Sequence, residues 1–215
     1  MYETILFDLD GTLTDPGMGI TNSVMYALKE MGCEVPERKA LYKFIGPPLH
    51  DSFSQFYGMS ESEAVEAVRQ YRVYYRDKGI FENDVYDGIP EMLDALKKAG
   101  KRLVLATSKP EEFAKIIMAH YGLDKWVTEI AGATMDKARG TKGKVIAYAL
   151  EGFGIDPSTA VMVGDREHDI IGGRENGLPG IGVTFGYGSR EELENAGAVS
   201  VADSPAELTK LLLGE

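Results

Sequence analysis

Asp8 and Asp10 stand two residues apart in Phe7-Asp8-Leu9-Asp10-Gly11-Thr12, directly after the apolar run at residues 4–7. A carboxylate facing a phosphorus atom can attack it and form an aspartyl phosphate, which splits one difficult hydrolysis into two easier displacements. Asp10 could then protonate the leaving oxygen and later accept a proton from the attacking water. Gly11 allows a tight turn that brings backbone N–H groups of the loop against phosphoryl oxygens. The same acidic loop is also compatible with a plain turn or a calcium-type loop, so its meaning depends on the company it keeps.

Three further groups of chemically able residues follow apolar runs. The run at 102–106 ends in Thr107-Ser108-Lys109-Pro110, where a hydroxyl and backbone N–H groups can hold a phosphoryl oxygen. Arg139-Gly140-Thr141-Lys142-Gly143-Lys144 precedes a helical pattern starting near Val145. A lysine there can neutralise a phosphate as a compact point charge, with Lys142 preferred and Lys144 in reserve because spacing does not separate them. The run at 160–163 ends in Gly164-Asp165, with Asp169 four residues on. Mg²⁺ prefers one or two carboxylates together with waters and substrate phosphate, which fits Asp165 with Asp8. Asp169 is expected one helical turn away, orienting a ligand or Lys142. His168 has no histidine partner at metal-binding spacing and reads as an ordinary helix-start residue.

These groups need a scaffold that gathers strand ends. Short β-rich runs at 4–7, 102–106, 127–131, 160–163 and 181–184 alternate with helical patterns, for example Ile89, Met92, Leu93 and Leu96 before Gly100. That alternation predicts an α/β fold, a Rossmann-like parallel sheet covered on both faces. One long interruption, residues 16–82, keeps a 3.6-residue apolar period and predicts an inserted helical bundle. The expected organisation is an α/β catalytic core of residues 1–15 and 83–215 with a helical cap of residues 16–82.

In this order the motifs resemble those of the haloacid dehalogenase superfamily, specifically its phosphatases with a helical cap inserted after the first motif. Within it, Ile20, Ser23, Phe44-Ile45-Gly46-Pro47-Pro48-Leu49 and Gly186-Tyr187-Gly188-Ser189 are similar to the phosphoglycolate phosphatase-like group, which includes 5′-nucleotidases. The resemblance implies Asp8 as nucleophile, Asp10 as acid and base, and Thr107 and Lys142 on the phosphoryl group. It also implies Mg²⁺ on Asp8, the Asp10 carbonyl and Asp165, with Asp169 behind them. Leu9, Gly11, Thr12, Ser108 and Lys109 are expected around the phosphate, and Arg72 of the cap against the rest of the substrate. Two departures stand out: Pro16 replaces a serine common after the first motif, and Lys142 lacks the proline that commonly follows the third-motif lysine.

A phosphosugar mutase would use the same two aspartates and differ in its cap, which must retain an intermediate away from water. A receiver-type signalling module would carry its acceptor aspartate mid-chain and lack the helical insertion. A dinucleotide-binding oxidoreductase would need Gly-x-Gly-x-x-Gly after the first strand, which is missing.

Composition narrows the partners. The 215 residues carry 23 Lys+Arg against 34 Asp+Glu, a net charge of −11, which disfavours a nucleic acid polymer or an anionic membrane. One cysteine, Cys33, allows no internal disulfide, and no apolar run approaches the ~18 residues needed to span a bilayer. The expectation is a soluble, cytoplasmic monomer or homodimer acting on a small phosphorylated metabolite.

Overall fold

The computed structural model describes residues 2–136 and 138–215; Met1 and Lys137, both within the spans expected for the catalytic core, lie outside the described residues. The strands are β1 (Thr4–Phe7), β2 (Thr14–Asp15), β3 (Asp84–Val85), β4 (Arg102–Pro110), β5 (Glu129–Ala133), β6 (Ala160–Gly164), β7 (Gly180–Val183) and β8 (Ser200–Ala202). The α-helices are α1 (Gly17–Glu30), α2 (Leu49–Tyr57), α3 (Glu61–Asp77), α4 (Ile89–Lys98) and α5 (Glu111–His120), then α6 (Lys142–Phe153), α7 (Glu167–Glu175), α8 (Arg190–Ala196) and α9 (Pro205–Leu213). The chain forms two compact units, Met1–Thr14 with Val85–Glu215, and Asp15–Asp84. Where the chain passes between them, β2 and β3 pair with each other.

The larger unit is an α/β fold around one parallel sheet of order β5-β4-β1-β6-β7-β8. All four residues of β1 are buried, as expected of a central parallel strand covered on both faces. Leu6, Val104 and Met162, from neighbouring strands, pack against Val145, Ile146 and Ala149 of α6. The chain runs from β1 through β4 to β5 on one side, then returns to β6 on the other side of β1. This reversal makes the carboxyl ends of β4, β1 and β6 a topological switch point, where ligands bind in open α/β sheets.

Several boundaries differ from the sequence reading. The second run continues as strand to Pro110, so Thr107, Ser108 and Lys109 belong to β4 itself, with a register shift between Thr107 and Pro110. The strand expected at 127–131 lies at Glu129–Ala133. The helix expected near Val145 starts at Lys142, because the Thr141 side chain caps it by accepting from the Lys144 N–H. β8, only three residues long, gave no recognisable pattern.

The smaller unit is helical but not throughout. Residues 38–44 form a 3₁₀ segment, and Gly46-Pro47-Pro48 delays α2 until Leu49, since proline cannot continue a helix from within. α3 begins with a capping box in which Ser60 and Glu63 satisfy each other's backbone N–H groups. α1 lies so close to the 3₁₀ turn at Gly79–Phe81 that a Cβ on Gly19 would sit 1.9 Å from the Gly79 carbonyl oxygen.

Candidate active site

Asp8 is the first residue beyond β1, and its N–H extends the ladder to Val163 of β6 (2.9 Å), which holds its side chain at the carboxyl edge of the sheet. Lys142, the first residue of α6, is buried with its ammonium over the same edge. Its Nζ donates to the Ala106 carbonyl (3.0 Å) and lies 2.8 Å from both Asp8 Oδ1 and Asp169 Oδ1. The two carboxylate contacts are ion pairs by distance, without good hydrogen-bond geometry. Burial alone would pull the Lys142 pKa down, but Asp169 and Asp8 outweigh it and push it up. Lys144, by contrast, is exposed, with its Nζ 3.4 Å from the Ala138 carbonyl. Spacing did not separate the two lysines; their helix phase does, since residue 142 faces the sheet and residue 144 faces solvent.

Asp165 follows β6 and is fully buried. The Tyr187 N–H donates to its Oδ2 (2.8 Å), while its Oδ1 has no hydrogen-bond partner among the described residues. Asp169, on the first turn of α7, accepts from the Arg166 N–H (3.1 Å). One oxygen each from Asp8, Asp165 and Asp169 fall within 4.8 Å of one another. Burial, then the neighbouring carboxylates Asp169 and Asp8, raise Asp165 well above the ordinary carboxylate range. Burial also raises Asp169, against the pull of Lys142. In their ionised forms, three buried carboxylates against one ammonium would leave two negative charges uncompensated. A group of this kind is stable only when protonated or when it meets a further cation.

Asp10 occupies the next turn, where its Oδ2 pairs with Lys109 of β4 and its Oδ1 has no partner. Burial raises its pKa, and Lys109 opposes the rise. This pairing was not legible in the sequence, which suggested Lys109 only as a phosphate contact. The loop between is tightly self-bonded: the Leu9 carbonyl accepts from Leu13 (2.9 Å) and Thr14 (3.0 Å), and Gly11, at φ +85°, donates to Thr14 (2.8 Å). Thr12 is buried with its hydroxyl unpartnered. Thr107 is buried, its Oγ1 accepting from the Lys109 N–H (3.2 Å), and Ser108 beside it is half-buried.

Arg72 stands on α3, in the smaller unit. In that unit Ser23 is buried and donates to the Gly19 carbonyl (2.6 Å), Tyr75 stacks on Tyr71, and exposed Arg69 pairs with Glu66. A polar network missed by periodicity also runs through it: Arg38 donates to Asn22 (2.8 Å), and Asn22 and Tyr74 both donate to Glu82 (2.8 and 2.9 Å).

The model of the haloacid dehalogenase-like hydrolase family matches residues 5–183, from the second residue of β1 to the end of β7. The chain belongs to this family. Among relatives of the haloacid dehalogenase-like chain, a 5′-nucleotidase of Pseudomonas aeruginosa is 47% identical over 192 residues, covering 89% of this chain and 87% of that protein. A tyrosine-protein kinase of Mycobacterium tuberculosis is 40% identical over 199 residues, covering 93% of this chain and 68% of its own. The crystal structure of a predicted phosphatase from Clostridium acetobutylicum superposes with a TM-score of 0.97 at 48% identity, over all of both chains. The haloacid dehalogenase-like hydrolase described here is a phosphatase.

Proposed function

We propose that this phosphatase is a Mg²⁺-dependent phosphomonoesterase for a small metabolite, a nucleoside 5′-monophosphate or a phosphoglycolate-like ester. The observation that carries the reading is the uncompensated pair of charges among Asp8, Asp165, Asp169 and Lys142 at the switch point. Hard oxygen donors, one of them the unpartnered Asp165 Oδ1, suit a divalent ion. Asp8, Asp165 and the Asp10 carbonyl would hold Mg²⁺, which supplies positive charge against the phosphoryl oxygens when bound.

In this reading Asp8 attacks phosphorus, the bond to the leaving oxygen breaks, and Asp10 gives that oxygen its proton. Burial shifts Asp10 toward its protonated form against the pull of Lys109, which fixes the orientation of its carboxyl. A water then attacks the phosphorus of the aspartyl phosphate, giving its proton to Asp10, while the bond to Asp8 breaks and inorganic phosphate leaves. Lys142 and the Thr107 hydroxyl bind the phosphoryl oxygens throughout, with Leu9, Gly11, Thr12, Ser108 and Lys109 around them. Asp169 holds Lys142 in place. The unit Asp15–Asp84 acts as the cap, and Arg72 meets the part of the substrate beyond the phosphate.

The 47% identity to a 5′-nucleotidase supports the nucleotide arm of this proposal. A panel of nucleoside monophosphates, phosphoglycolate, sugar phosphates and pyrophosphate, assayed for phosphate release with and without Mg²⁺, tests it. Asp8→Asn is expected to abolish release from every ester in the panel. Undiminished turnover in that variant would overturn the mechanism, and a pyrophosphate or sugar phosphate preference would overturn the substrate class.

A further inference from the structure

We propose that the turn Gly186-Tyr187-Gly188 is a clamp that orients Asp165, gripping one carboxylate oxygen so that the other is presented bare to a divalent cation. The inference rests on the Mg²⁺ reading above and adds residues that none of the four catalytic clusters contains.

Asp165 is fully buried, and its two oxygens have unlike surroundings: Oδ2 accepts from the Tyr187 N–H at 2.8 Å, while Oδ1 has no partner. The backbone closes around this one side chain from two directions. A Cβ on Gly186 would lie 2.1 Å from the Gly11 carbonyl oxygen and 2.6 Å from Asp165 Cβ. One on Gly188 would lie 1.9 Å from the Asp165 carbonyl oxygen, and one on Gly11 would lie 2.2 Å from Asp165 Oδ2. These are separations that real Cβ atoms do not adopt, so the glycines are needed for approach as such.

The turn is also rooted at both ends. On the near side Thr184 donates its N–H to Ala202 (3.1 Å) and its hydroxyl to Asp203 (2.6 Å), and the Phe185 ring meets Tyr86 edge-on. On the far side Ser189 caps α8 by accepting from the Glu192 N–H (3.1 Å). Glu192 Oε1 in turn accepts from Arg166 Nε (2.8 Å) and the Glu167 N–H (2.9 Å), the two residues that follow Asp165. The turn and the strand exit it grips are therefore tied into one rigid loop pair. Groups that orient a metal-binding carboxylate typically contribute about 10–100-fold to metal affinity.

The test is calorimetric titration of metal-stripped protein with MgCl₂ alone, without substrate. Wild type is expected to bind Mg²⁺, and Asp165→Asn to lose that binding. Gly186→Ala should raise the Mg²⁺ Kd by about 10–100-fold, with far-UV circular dichroism unchanged and turnover recovering at saturating Mg²⁺. A merely structural lesion would not be rescued by metal. Glu192→Ala, which releases the tie from α8 to Arg166 and Glu167 without touching the buried contacts, should raise Kd in the same direction and decides the matter alone if Gly186→Ala does not fold. Wild-type affinity in Glu192→Ala, or in a folded Gly186→Ala, overturns the clamp and leaves the metal site standing. Absent Mg²⁺ binding in wild type, or full binding in Asp165→Asn, overturns the metal reading itself.

Discussion

Lys142 and Lys144 are chemically identical and two residues apart, yet one is buried against Asp8 and Asp169 and the other lies in solvent. Lys142→Met is expected to cut kcat/KM for an aryl phosphate by about 10²–10³-fold, the cost of removing one preorganised charge from a phosphoryl group. It should also destabilise the metal-free protein, by about 3–5 kcal/mol, because Asp8 and Asp169 lose a buried partner. Lys144→Met should leave both steady-state rates and urea midpoint near wild type. Equal effects of the two substitutions would refute the assignment. At this scale the sequence showed which residue types could do the chemistry and left their pairing open. Lys109 is the clearest case: its spacing from Thr107 is a strand-end spacing, and only folding brings it to Asp10, 99 residues away along the chain.

The elements around the site were legible where burial is periodic and illegible where side chains act at a distance. Glu111 begins α5, and its carboxylate meets Lys115 one turn on, Arg139 from the loop before α6 (2.5 Å), and the Gly132 N–H of β5. Arg139 also donates to the Gly132 carbonyl (2.6 Å) and stacks on Tyr148 of α6. Burial by itself would raise the Glu111 pKa, but Lys115, the Gly132 N–H and Arg139 together bring it down. A carboxyl whose folded pKa is depressed contributes stability above its unfolded pKa and loses it as pH falls through the folded value. Glu111→Gln should therefore cost about 1–2 kcal/mol in urea unfolding at pH 7. The gap should close as pH drops below about 4. A gap that persisted at low pH would mean that packing, and not charge, holds this junction.

For the whole molecule, the net charge of −11 is at first sight ill matched to an anionic ester. Asp8, Asp165 and Asp169 account for part of it, and a bound divalent cation with Lys142 would reverse the local balance without altering the global one. Among the described residues no helix is long and apolar enough to cross a membrane. Selectivity belongs to the smaller unit in the proposed reading, because the larger unit supplies only phosphate chemistry. Arg72→Ala is expected to change the ratio of rates between nucleoside monophosphates and phosphoglycolate while an aryl phosphate changes little. Arg69→Ala, whose guanidinium already faces Glu66 on the surface, should leave the ratios alone. Unaltered ratios in Arg72→Ala would move the specificity contact elsewhere in that unit.

Local chemistry and periodicity alone determined the α/β alternation, the helical insertion and the places of Asp8, Asp10 and Asp165 after apolar runs, since strand and helix periods and short acidic loops are properties of consecutive residues, whereas Lys142 and Lys144 were told apart only by burial. The β5-β4-β1-β6 order, the burial of three carboxylates around one ammonium, the Lys109–Asp10 pair and the glycine turn that closes on Asp165 were decided only by tertiary structure. Each of these depends on which strand ends become neighbours and how near two backbones come. Such contacts join residues far apart in the chain, where no local pattern records them.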